Sequence, residues 1–144
     1  MSKPETTFYT SVHRHLPSVD VLHREKMSNP YRGGCADFWY SGKKADLWIE
    51  WKFIVVPKRD DTVIDLCGGK KPTISGLQQD WLRGRFFEGR NVAVVVGCKA
   101  GGVIFPQPEH ANGWGWEIPF TAAHFRRAIS LRKDIAFWLQ LRVS

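Results

Sequence analysis

No run of apolar residues in this chain approaches the roughly 20 that a bilayer span needs, so nothing in it reads as a membrane segment. The opening MSKPETTFYTSVHRHLP has no apolar block after its first basic residue and does not read as a signal peptide. The expectation is a cytoplasmic protein. Cysteine is scarce: Cys35, Cys67 and Cys98 are far apart and form no CxxC pair. That excludes a disulfide framework and any zinc site with local ligand spacing. It leaves three reduced thiols, and zinc only from Cys and His distant in sequence. Acidic residues are the minority charge, 14 Asp and Glu against 21 Lys and Arg, for a formal net charge of +7. A positive surface attracts polyanions, and nucleic acid is the commonest of these in a cytoplasm. Internal repeats and low-complexity tracts are missing too. The 144 residues suit one domain, large enough for a core without staples.

What is present falls into an order. Pro4 suits the first turn of a helix that Leu16-Pro17 ends, with Phe8, Val12 and Leu16 as its buried stripe. A short strand is expected within 19–26, then a turn-rich segment, SNPYRGG. Residues 35–53, CADFWYSGKKADLWIEWKF, alternate as a hairpin with SGKKA as its turn. Residues 57–73 carry prolines, glycines and mixed charge and read as a long surface excursion. Ser75 reads as the cap of a helix over 76–87, with Leu77, Trp81 and Leu82 inward and Arg83 and Arg85 outward. NVAVVVG at 91–97 reads as a buried central strand, and GGVIF at 101–105 pairs with it across a CKA turn. NGWGWEIPF is expected to add an edge strand. Residues 121–142 read as one or two helices with Phe125, Ala128, Ile129, Ile135, Trp138, Leu139 and Leu141 as apolar positions. Such an order suits an α/β fold, a mixed sheet flanked by helices.

The hairpin holds the chemistry. Side chains alternate faces along a strand. In DLWIEWKF, Leu47, Ile49, Trp51 and Phe53 therefore share one face, fit for packing on a helix. Trp48, Glu50 and Lys52 share the other, projecting away from the apolar layer. With the turn centred between Lys43 and Lys44, opposed residues have numbers summing to 87, which sets Asp37 opposite Glu50 with Cβ atoms about 5 Å apart. Two carboxylates so close repel unless they share a proton or a cation. Mg²⁺ resolves the conflict, being bound through oxygen while keeping several waters. Lys52 beside it can orient or activate water and offset charge on a phosphate. Asp46 shares the parity of Glu50 but lies about 13 Å along the strand, too far for one cation, and reads as the end of the turn.

GGCADFWYSG…DLWIEWKF resembles the (P)D…(D/E)xK signature of the PD-(D/E)XK nuclease superfamily, nearest to its VRR-Nuc-like and Holliday-junction-resolvase-like members, many of them phage-encoded. Ala36 stands where the family has Pro. SGLQQDWLRGRFFEGRNVAVVVG continues the family order of a Gln- and Trp-bearing helix, a glycine and a hydrophobic strand. The resemblance covers residues 4 to 105, with a helical extension over 120–144, and implies a restriction-endonuclease-like domain. It implies a Mg²⁺-dependent DNA endonuclease, with Mn²⁺ able to substitute. Asp37, Glu50 and the Trp51 carbonyl would hold the metal, with Lys52, Gln78 and Glu5 completing the catalytic set. Glu5 equally suits the helix dipole at a first turn.

A domain this small touches only part of a duplex, which allows a homodimer for double-strand or junction cleavage and a monomer for nicking. A catalytically silent nucleic-acid-binding module and a nuclease acting on RNA are the alternatives. The five histidines read as surface or core residues, since His13 and His15 fall on different helix faces. Trp114 and Trp116 read as base-stacking or core residues. Arg32, Lys43, Lys44, Lys70, Lys71, Arg83, Arg85, Arg126 and Arg127 are the candidate backbone contacts, too scattered in sequence to define one patch.

Overall fold

The computed structural model describes residues 3–27 and 33–144. Arg32 and most of SNPYRGG lie outside them. The chain begins with α1 (Pro4–His13), Pro4 in the first turn where its missing N–H costs nothing. It then forms β1 (His23–Lys26), β2 (Phe38–Ser41) and β3 (Asp46–Phe53). After a long segment holding the two-residue β4 (Val63–Ile64) come α2 (Gly76–Phe87), β5 (Val92–Cys98) and β6 (Gly101–Phe105). The short β7 (Phe120–Thr121) leads into α3 (Ala122–Arg127) and α4 (Arg132–Val143). The main sheet is mixed, in the order β1-β2-β3-β5-β6. Only β3 and β5 run parallel, and α2 lies on the crossover that parallel neighbours require. The architecture is α/β, as the element order implies.

The hairpin register follows the turn count. Phe38 faces Ile49, Trp39 faces Trp48, and Ser41 faces Asp46, each pair summing to 87. Asp46 accepts from the Ser41 hydroxyl at 2.7 Å, closing the turn.

The sheet is covered on both faces, which corrects the expectation that Glu50 and Lys52 project away from apolar residues. One face carries Leu47, Ile49, Trp51, Ala93 and Val95 against Phe8 and Val12 of α1 and Ile135 and Leu139 of α4. The other carries Val92, Val94, Val96 and Phe105 against Leu82 of α2, Phe125 of α3, Leu66, Ile74 and Trp116. The continuous β-branched run of β5 is the reason: alternate residues go to opposite faces, so both need cover.

Four smaller expectations change. The 57–73 segment is no mere surface excursion, because Leu66 is buried, as is Ile74 just beyond it. Its β4 pairs with β7, so NGWGWEIPF adds no edge to the main sheet. Leu77 and Leu141 are exposed rather than inward: the one-turn contact of α2 with the sheet is made by Leu82 and half-buried Trp81. Trp116 is fully buried, and Trp114 stacks on Phe105 with centroids 4.9 Å apart, so core packing claims both.

Candidate active site

Asp37 immediately precedes β2, and Glu50 lies in mid-β3. The approach to Asp37 is fixed by Gly34, whose φ of 95° and close passage leave no room for a Cβ, which would overlap the Leu77 carbonyl oxygen of α2. The Asp37 carboxylate accepts from the Trp51 backbone N–H at 3.0 Å. Trp51 is itself pinned from the opposite face: its indole N–H donates to the Tyr40 hydroxyl at 3.0 Å, which meets His13 Nε2 at 2.6 Å. A hydroxyl accepting from Trp51 has its proton free for His13, and burial holds that imidazole neutral by pushing its pKa down to about 4. A core network thus sets the strand position that the acids use.

Glu50 is completely buried. Its Oε2 receives Gln78 Nε2 at 3.0 Å and lies 3.3 Å from Lys52 Nζ. Its Oε1 is buried and receives no N–H or O–H donor. Burial, and then the charge of Asp37 within hydrogen-bonding reach, push the Glu50 pKa up to about 9 against the pull of Lys52. Glu5, in the first turn of α1, is also raised, by burial and then by Asp37, with Lys52 opposing. Glu5 and Glu50 thus each feel Asp37 and Lys52, and Gln78 bonds Glu50, which links the five sequence-predicted side chains from α1, the approach to β2, β3 and α2.

Gln78 is held at both ends. Ser75 caps α2 by accepting from the Gln78 N–H at 3.2 Å, while the Gln78 carbonyl Oε1 accepts from the Ser75 N–H at 3.0 Å. This reciprocal capping box leaves the amide Nε2 aimed at Glu50.

Among the described residues no three His, Cys, Asp or Glu side chains converge as a cation-holding group. A cation here would take ligands from two carboxylates, a backbone carbonyl and water, the mixture Mg²⁺ accepts. The Glu50 Oε1 fits that demand: it receives no donor, and only a proton or a cation relieves its closeness to Asp37.

No protein-family model matches the chain, and no curated protein matches it. The fold resembles a resolvase. Hjc, a Holliday junction resolvase from the archaeal hyperthermophile Archaeoglobus fulgidus, superposes with a TM-score of 0.52 at 14% sequence identity, over 94% of this chain and 97% of that one. At that identity the likeness speaks for the fold.

Sequence reasoning passed over two residues beside the site. Trp48 was placed on the face of Glu50 without a role, and Trp81 was assigned inward. Both line a cleft with Arg85 and Arg90, and the parity of Trp48 with Glu50, two residues on, was the available signal.

Proposed function

We propose that this chain is a divalent-cation-dependent DNA endonuclease of the PD-(D/E)XK type, one nuclease domain in which Asp37 and Glu50, with the Trp51 carbonyl, hold Mg²⁺ or Mn²⁺. The observation that carries the reading is Glu50: wholly buried, with Oε2 saturated by Lys52 and Gln78, Oε1 without any N–H or O–H donor, and the Asp37 carboxylate close by. A merely structural glutamate would have both oxygens satisfied or would be replaced by an apolar residue.

When bound, the cation would supply charge that acidifies water and shields the scissile phosphate. The protein's own residues do the rest. Gln78 fixes the carboxylate plane of Glu50. Lys52, mostly buried and tethered to Glu50, keeps a positive charge beside the reacting phosphate and orients the attacking water. Glu5, in the field of Asp37 and Lys52, would accept a proton from the attacking water. The surplus of basic residues gives phosphate-backbone affinity.

The similar fold of a Holliday junction resolvase puts branched DNA among the substrates to try, and a second copy of the chain is the natural route to paired cuts. Encoding by a phage or mobile element belongs to the same reading and rests on the sequence resemblance.

Supercoiled plasmid, linear duplex, nicked duplex, a four-way junction, single strands and RNA, each with Mg²⁺ or EDTA, provide the test. Cleavage of DNA that needs Mg²⁺ and falls about 100-fold or more in Lys52→Ala and in Glu50→Ala is the expected result. Cleavage indifferent to EDTA or to both substitutions would overturn the mechanism. Salt-sensitive binding without cleavage would favour a silent binding module.

A further inference from the structure

Trp48 of β3 and Trp81 of α2 meet edge to face, ring centroids 5.6 Å apart. Trp39 stacks behind Trp48 at 6.0 Å with 26° between the planes, held there by the cross-strand pairing of the two residues. The Arg85 guanidinium lies 5.9 Å from the centre of the Trp81 ring. Trp48 and Trp81 help to line a cleft of about 720 Å³ together with Cys35, Asp46, Arg85 and Arg90, a volume within the range of small-ligand sites.

The position of the cleft gives it meaning. Trp48 precedes Glu50 by two residues on the same strand face, about 6.6 Å at ~3.3 Å per residue, a distance one nucleotide can span. Cys35, on the cleft wall, precedes Asp37 by two residues, as Trp48 precedes Glu50. The cleft thus borders the chain segments that carry the two acids. Core packing alone accounts for indoles against Leu82 and Val92, but not for arginines gathered at the same opening. A plain phosphate groove needs the arginines but has no use for two indoles. Aromatic surface, guanidinium and a carboxylate together match a nucleotide: base on indole, phosphate on arginine, and a base amino group or ring N–H on Asp46. Arg85 is half exposed in a 3.2 Å pair with Glu88, an ion pair weak enough to exchange for a phosphate.

We propose that this cleft receives one unpaired nucleobase of the strand adjoining the scissile phosphate, packed against Trp81 and Trp48 with its phosphate on Arg85 and Arg90. The proposal rests on the nuclease reading above and specifies its substrate: DNA with an unpaired or readily extruded base beside the cut, as at a junction, flap or mismatch.

Binding measured in EDTA separates the two ideas, because it needs no cleavage. Fluorescence anisotropy would compare a fully paired duplex with one of the same length carrying a single unpaired 2-aminopurine. The intact protein should prefer the unpaired base by about 5- to 100-fold, the range that stacking one base on an aromatic side chain supplies. The 2-aminopurine emission should be quenched on binding. Trp81→Ala should bring that ratio near one, Trp81→Phe should keep most of it, and Arg85→Ala should reduce it. A ratio near one in the intact protein, or a full ratio retained in Trp81→Ala, would overturn the proposal. Competition by free deoxynucleoside monophosphates as strong as by the unpaired-base duplex would overturn the assignment to a strand. Preference without any cleavage under Mg²⁺ would leave the cleft standing and remove the endonuclease reading.

Discussion

Glu50 decides what protons do at this site. Its pKa is pushed to about 9 by burial and by Asp37, so at neutral pH the cation-free protein holds a proton there. A cation bound there would have to displace it. Mg²⁺ uptake at pH 7.5 is therefore expected to release close to one proton, and affinity is expected to strengthen as pH rises toward 9. Calorimetry in buffers of different ionisation enthalpy reads both. The same shift sets a stability trend. The folded pKa lies above the unfolded value of 4.5, so between the two the folded state binds more protons and loses stability as pH rises. In EDTA, the melting temperature of the wild type relative to Glu50→Gln should fall from pH 5 to pH 9. Added Mg²⁺ should restore the wild type and leave Glu50→Gln unmoved.

At the scale of elements, α2 is both a support and a part of the site. Gln78 accepts from Ser75 with one end and donates to Glu50 with the other. Ser75→Ala should cost about 1 kcal/mol in urea unfolding, the usual worth of a cap. Gln78→Leu should cost more, because it removes the second half of the box and a donor to a buried carboxylate. Much of this was legible beforehand. Turn counting set the hairpin register, strand parity put Glu50 with Lys52, and Ser75 announced the helix. The double use of Gln78 was not legible, since a capping residue and a site residue leave the same letter in a sequence. Nor was the second apolar layer. Leu66 and Ile74 sit among glycines, prolines and charges, and only the crossover from β3 to β5 brings them onto the sheet. Trp81 packs on the core as its periodicity predicts, but helix periodicity does not tell that the same indole also borders a cleft.

For the molecule as a whole, two separate cores divide the work, and their pH limits differ. The face opposite the site contains His13, whose folded pKa of about 4 lies below its ordinary 6.5. The unfolded chain binds the extra proton between those values, so this contribution is complete above pH 6.5 and lost as pH falls through 4. The loss is up to about 3 kcal/mol at ~1.4 per unit. Urea midpoints at pH 4 to 7 should fall with acid in the wild type and less in His13→Gln, which keeps an acceptor for Tyr40 but cannot titrate.

The same face contains α4, and its far end does something that its packing role does not require. The Val143 carbonyl accepts from the backbone N–H of Lys44 at 2.8 Å and of Ala45 at 3.3 Å, clasping the hairpin turn whose register sets Asp37 against Glu50. The spacing of the two acids is thereby fastened from a helix remote in sequence, so a lesion at the end of α4 would reach the candidate site without touching any of its residues.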